Sequence, residues 1–219
     1  MPIDDQLSVD EALSTTRSVR RRIDFDRPVE PEVLEACIDV ATQAPTGAGA
    51  ERWRFVIVTD AEKKLALAEI YRRALGHFRH VREEEALRTG AEPPEVKATH
   101  MALADRMHEM PALVVACIEG RPTETVAQQV AFYGSILPAA WSFMVALRAR
   151  GLGSTWTTLH LLDEKEAAAI LSIPSDVTQT VLIPVGYTRN AVLRTAERSP
   201  AREVTFWNEW GSHAADDPV

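Results

Sequence analysis

"ALVVACI", residues 112–118, is an unbroken apolar run between Pro111 and Glu119. It is too short for a typical helix, and its β-branched Val114, Val115 and Ile118 suit an extended chain, so it reads as a buried strand. Further strands are predicted at 54–58 (RFVIV), at 153–159 (GSTWTTL) and at 181–187 (VLIPVGY). Long helical patterns separate them. Ser8 and Glu11 have capping-box spacing, so a helix is expected from about residue 9 to the arginines at 17–22. Pro31 opens a second helix, with Val33, Leu34, Cys37, Ile38, Val40 and Ala41 on one face, closed before Ala44-Pro45. Asp60 can cap a third, carrying Leu65, Leu67, Ile70 and Leu75.

Residues 124–150 form a long amphipathic stretch that Pro138 either kinks or divides, and Gly151 ends it as the left-handed residue beyond the helix. Asp163 with Glu166 starts a short helix ended by Ile173-Pro174. Within residues 76–110 the chain is highly charged, interrupted by "REEEALRTGAEPPE", and reads as a lid or insertion. A sheet covered by helices follows, of α/β or α+β class. With no repeat, low-complexity tract or clear linker, residues 1–219 are read as one domain.

The 219 residues are 46% hydrophobic and 26% charged, ordinary for a soluble globular protein. A formal net charge of -8 argues against nucleic-acid binding, which wants a basic face. Cys37 and Cys117 lie in apolar contexts and read as small core residues in a reducing compartment. The N-terminus lacks a signal-like apolar stretch, and no apolar run is read as long enough to span a membrane. A cytoplasmic soluble protein with a small-molecule ligand is the resulting expectation.

Against that acidic background, "TTRSVRRRIDFDRP" (15–28) concentrates Arg17, Arg20, Arg21 and Arg22. If the preceding helix persists, Arg17 and Arg20 or Arg21 share a face. With Ser18 they could then hold a phosphate, and otherwise they are a solvated helix end that suits the macrodipole. "TGAG" and "GLGS" complete neither a dinucleotide fingerprint nor a P-loop, and Gly151-Leu152-Gly153 reads as a helix cap and tight turn. His77, His80, His100 and His108 lack ligand spacing for a metal, and Gly134-Ser135 reads as close helix packing. "STWTTLH" sets Thr155, Thr157 and Thr158 around Trp156, where hydroxyls and backbone donors could meet the polar edge of a flat heterocycle.

Five segments then stand in register: "TTRSVRRRIDFDRPV", "ATQAPTGAGAERWRFVIVTD", "RGLGSTWTTLHLL", "LSIPSDVTQTVLIPVGYT" and "EVTFWN". In order and spacing they resemble the FMN-dependent nitroreductase family, closest to its actinobacterial branch, over nearly the whole chain outside 76–110. The resemblance implies an α+β nitroreductase-like fold, with a mixed, mainly antiparallel sheet flanked by helices. It also implies an intertwined homodimer, FMN at the interface, and NADH or NADPH as reductant. Arg17, Ser18 and Arg20 match the segment that binds the flavin phosphate, and Arg198 the late basic residue that completes it. By the same match Arg21 and Arg22 are spare surface charge.

Pro45, Thr46 and Gly47 match the loop that lies against the isoalloxazine from the other subunit, and Thr157 and Thr158 the turn with donors near flavin N5. The resemblance implies no catalytic side chain and no metal. Helix 124–150 and Phe206, Trp207 and Trp210 would be dimer contacts, and His77, Phe78, Met101 and Met107 would line or cover the acceptor. Ping-pong two-electron transfer from NAD(P)H to a nitroaromatic, quinone or related acceptor is the expected activity. The alternatives are flavin sequestration with little turnover, and dehalogenase-like or flavin-fragmenting chemistry. Four positions depart from the family pattern: Thr16 stands for an arginine, Gly49 for an asparagine, Glu51 for a glutamine, and Glu197 for a second basic residue. These departures predict weaker FMN retention.

Overall fold

The computed structural model describes residues 7–89 and 98–213. Its sheet runs in the order β1 (Trp53–Val58), β2 (Ala112–Glu119), β4 (Val177–Tyr187), β3 (Leu152–Ser154), and every ladder is antiparallel. On β2 the period of two divides the side chains between two cores. Ala112, Val114, Ala116 and Ile118 enter one apolar cluster, while Leu113, Val115 and Cys117 enter the other. Helices cover both faces. In chain order they are α1 (Val9–Thr15), α2 (Pro31–Ala41), α3 (Ala61–Thr89), α4 (Ala98–Arg106), α5 (Val126–Arg148), α6 (Glu164–Leu171) and α7 (Ala201–Val204). The first cluster lies under α2 and α5, the second under α3, α4 and α6. This is the α+β architecture that the sequence implied.

Local chemistry sets several boundaries. Ser8 and Glu11 close the capping box of α1, Asp60 accepts from the Lys63 amide at 2.9 Å, and Gly151 takes φ 77° beyond α5. Helix α1 nevertheless stops before the arginines. The Thr15 and Thr16 hydroxyls turn back onto the Glu11 and Ala12 carbonyls, and Thr16 takes extended backbone angles. The chain then pairs with distant strands. Ser18 bridges Ser154 in parallel, the Val19 amide donates to the Ser154 carbonyl at 2.9 Å, and Ile23 bridges Thr188. The helical face expected for Arg17 and Arg20 is therefore replaced by an extended segment.

That segment rests on two glycines. Gly153 and Gly186 are partners in the β3–β4 register. A Cβ on Gly153 would lie 2.8 Å from Val19 Cβ, and one on Gly186 would lie 2.6 Å from Ile23 Cγ2. Gly153 is thus a strand glycine that admits a neighbouring chain, not part of a tight turn.

Other expectations shift. The continuous β3 ladder ends at Ser154; the chain stays on the β4 edge through a Thr155–Pro184 bond and an isolated Thr157–Leu182 bridge, then enters a 3-10 turn, Leu159–Asp163. Pro138 is carried within a continuous α5. That helix is also long and apolar enough to span a membrane by length and composition, with hydropathy 1.6, contrary to the expectation that no apolar run has that length. Here Ile136, Phe143 and Leu147 bury one of its sides against the sheet. Gly134 has open space around it within the single chain, so no described residue packs closely against it. In the 76–110 stretch α3 continues to Thr89, through residues 82–89 of the expected break, and residues 90–95 of it lie outside the described residues. Met107 is fully buried in the second cluster, so it lines no open site, whereas Phe78 is exposed beneath the Arg82 guanidinium.

Cys37 and Cys117 are free and buried, and burial pushes their thiols up to about 11 and about 12. His160 is 0% exposed, and neither ring nitrogen has a hydrogen-bond partner among the described residues. Burial alone lowers its pKa from 6.5 to about 4, so the imidazole is held neutral.

Two outcomes are expected. Gly186→Ala forces Ile23 or Pro111 to move and costs about 2 kcal/mol, lowering the thermal midpoint by roughly 4–8 °C. The unfolded chain protonates His160 at higher pH than the folded one, so this residue's contribution is complete above its unfolded value. It is lost as pH falls toward about 4, by up to about 3 kcal/mol. Thermal melts of wild type and His160→Leu at pH 7 and pH 4.5 check this: the variant should lose clearly less stability between the two.

Candidate functional site

The Arg17–Arg20 segment and the turn after β3 form one unit. The Thr155 hydroxyl donates to the Val19 carbonyl at 3.0 Å, adding a side-chain tether to the Val19–Ser154 backbone bond. Two residues on, Thr157 is held by reciprocal bonds with Leu182, at 3.1 Å and 2.9 Å. Tyr71 of α3, 3% exposed, joins the two parts from below. Burial raises its phenol pKa, opposed by a hydrogen bond from Thr157 and by the Arg20 charge. Tyr71 was invisible as a site residue in the sequence, where it is one apolar position on a long helix.

The unit is short of negative charge. Arg17 has no hydrogen bond or ion pair among the described residues. Arg20 is half-buried, its Nε has no partner, and burial lowers its pKa. Two such guanidiniums flanking the exposed Ser18 suit a ligand with several strong acceptor oxygens, which would satisfy the forks and recover the cost of desolvation. Thr16 adds nothing, since its hydroxyl is committed to the Ala12 carbonyl.

Thr157 and Thr158 have different duties. The Thr157 amide is taken by Leu182, and its Oγ1 accepts from the Leu159 amide at 3.5 Å. Thr158 is exposed, and no hydrogen bond engages its amide or hydroxyl among the described residues. It is therefore the free donor of the pair.

The Pro45–Gly47 loop is tied elsewhere. The Gly47 amide donates to Ser135 Oγ at 3.1 Å, Trp53 Nε1 donates to the Ser135 carbonyl at 2.7 Å, and the Thr46 hydroxyl donates to the Ala50 carbonyl at 2.6 Å. Ser135 thus anchors the loop on α5, a role its helical setting concealed. Gly49 takes φ 68°, a left-handed conformation that glycine adopts freely and asparagine tolerates. Beside it Gly47, Arg52, Ile118, Phe132 and Ser135 line a cavity of about 330 Å³. Arg198 stands in the irregular stretch before α7, where its guanidinium donates to the adjacent Glu197 carbonyl at 3.2 Å and to nothing else among the described residues. Within the single chain, the segment bearing Arg17, Ser18 and Arg20 is tethered to the turn bearing Thr157 and Thr158 through the Thr155–Val19 bond, with Tyr71 beside both Arg20 and Thr157. No hydrogen bond or ion pair joins Pro45, Thr46, Gly47 or Arg198 to them among the described residues.

Known proteins place this architecture. The chain is 27% identical over 206 residues to an NADH dehydrogenase of Thermus thermophilus, covering 87% of this chain and 91% of that protein. It is 28% identical over 207 residues to iodotyrosine deiodinase 1 of Rattus norvegicus, covering 89% and 67%. The NADPH:FMN oxidoreductase of Vibrio harveyi, solved in complex with NAD+, shares the fold with a TM-score of 0.66 at 17% identity, over 94% of this chain and 80% of that one. The family model described as "Nitroreductase family" matches residues 13–187, and the chain belongs to that family.

Proposed function

We propose that this protein is an FMN-dependent oxidoreductase that passes two electrons from NADH or NADPH to a nitroaromatic, quinone or related acceptor by ping-pong turnover. One observation carries the proposal: Arg17, Ser18 and an Arg20 with an unpartnered Nε are pinned beside the Thr157–Thr158 turn. Family membership and the NADPH:FMN oxidoreductase of Vibrio harveyi support the same cofactor and reductant class.

When bound, FMN supplies the two-electron chemistry between nicotinamide and acceptor. The chain's own residues bind and orient. Arg17 and Arg20 take the phosphate by charge-assisted bonds, with Ser18 Oγ as a further donor. Thr158 offers its free amide and hydroxyl to the polar edge of the ring near N5, while Thr157, locked to Leu182, holds that turn in place. Tyr71 keeps Arg20 and Thr157 in register from the buried side.

Pro45, Thr46 and Gly47 complete the site in a homodimer, supplied by the partner subunit, and Arg198 is the late basic residue that completes the phosphate pocket. Exposed Val126, Val130 and Trp141 on α5, with Trp207 and Trp210 beyond α7, are the surfaces such a dimer would cover. Reductive dehalogenation is the second reading, favoured by the similarity to the rat deiodinase.

Adding FMN to the purified protein should give a protein-bound flavin spectrum that NADH or NADPH bleaches anaerobically and a nitroarene or quinone restores. Arg17→Ala and Arg20→Ala should each weaken FMN at least about tenfold by fluorescence titration. A flavin that binds but stays oxidised with both nicotinamides overturns the reductase reading and leaves sequestration. Bleaching without reoxidation by nitroarene or quinone, together with turnover of a halophenol, favours dehalogenation.

A further inference from the structure

Arg21 and Arg22, expected to be spare surface charge, lie outside the proposed phosphate site. They line a separate cavity of about 290 Å³ with Arg106, Arg189, Phe25 and Asp26. These residues come from three distant stretches: the extended N-terminal segment, the end of α4, and the chain just past β4. Four guanidiniums on one small cavity, in a chain of net charge -8, demand a physical account.

Three of the four are held at one edge. Arg22 Nη1 donates to the Asn190 carbonyl at 2.9 Å. Arg189 Nη2 meets Asp24 Oδ1 at 2.6 Å and Asp26 Oδ2 at 3.7 Å. Arg106 donates through Nε and Nη2 to Glu109 Oε2, at 2.9 Å and 2.5 Å, and its guanidinium lies 3.6 Å from the centre of the Phe25 ring. These partners fix the planes of the forks and leave other N–H groups unengaged. Arg21 has no hydrogen bond or ion pair among the described residues. The local balance of four arginines against Asp24, Asp26 and Glu109 is positive: Arg106 and Arg189 hold the carboxylates, Arg22 meets only a carbonyl, and Arg21 has no partner at all among the described residues. Pre-oriented forks around one unpaired arginine are what a tetrahedral dianion requires.

We propose that this cavity is a second anion site that binds the phosphate group of a small phosphate-bearing molecule. It shares no residue with Arg17, Ser18, Thr158 or Arg198, so it stands or falls independently of the flavin reading. The source is either free phosphate and diphosphate or the phosphate of a nucleotide.

Isothermal titration calorimetry on the FMN-supplemented protein, at low salt in phosphate-free buffer, tests it with sodium pyrophosphate, inorganic phosphate and adenosine 2′,5′-bisphosphate. One saturable site per chain is expected, with Kd below about 1 mM and weakening as salt rises. Arg21→Ala and Arg106→Ala should each weaken it at least about tenfold, while Arg17→Ala leaves it unchanged. Arg21 and Arg106 are exposed, so both variants should keep the wild-type thermal midpoint, and Arg21→Gln serves as a second, less truncating variant. Tighter binding of the bisphosphate than of either inorganic anion identifies a nucleotide source, and the reverse order a free-anion source. Absence of saturable heat with all three probes overturns the proposal. So does binding that survives Arg21→Ala and Arg106→Ala, or binding lost only in Arg17→Ala.

Discussion

The rest of this structure depends on the close approach of the Val19–Ile23 segment to the paired glycines Gly153 and Gly186. Side chains at those two strand positions would occupy the space of Val19 and Ile23, 2.8 Å and 2.6 Å away. Without them the segment could not lie against the sheet, Ser18 could not bridge Ser154, and Arg20 could not stand above Tyr71 and Thr157. A packing allowance of one methyl group per strand thus sets the position of the arginines. The candidate site is built by contact between elements far apart in sequence, and its precision comes from the core beneath it.

Charge is distributed on the same scaffold with a clear logic. The chain is acidic overall, yet Arg17 and Arg21 have no carboxylate partner, while Arg106 and Arg189 are pinned by Glu109, Asp24 and Asp26. Surface pairs of this kind contribute little stability, so their value here is orientation. Arg20 differs because it is half-buried with an unpartnered Nε, and an unmatched guanidinium there is costly until an anion arrives. Conversely, neutral His160 puts no charge into the core at neutral pH, at the cost of acid sensitivity.

Much of the fold was legible in the sequence, and the reasons are local. ALVVACI has the length and composition of a buried strand, Ser8 with Glu11 the spacing of a cap, and Gly151 the position of a helix end. Where reading failed, long-range contact had overridden local pattern. The arginines follow a helix and look like its last turn, but two threonine hydroxyls end α1 and Ser154 captures Ser18. GSTWTTL has strand propensity throughout, but after Ser154 it keeps only isolated pairings with β4, at Thr155 and Thr157, before a 3-10 turn begins at Leu159. Of the candidate site, the stretches bearing Arg17, Ser18 and Arg20 and bearing Thr157 and Thr158 were legible as motifs, and the Thr155–Val19 bond ties the two together. Tyr71 and Ser135 were not found, because a tyrosine on a helix and a serine in another carry no signal until the tertiary contact exists.

The Ser18–Ile23 segment has one more consequence, concerning the order in which the protein is made. Its tethers span 136 residues from Val19 to Thr155 and 168 from Arg22 to Asn190. On the ribosome the arginines therefore leave the exit tunnel long before the glycines they must rest against. They wait through the synthesis of α2, β1, α3 and α5, and dock only when β3 and β4 have formed. A nascent chain carries the basic segment in an open state for most of its synthesis, and the cradle closes as one of the last acts of folding.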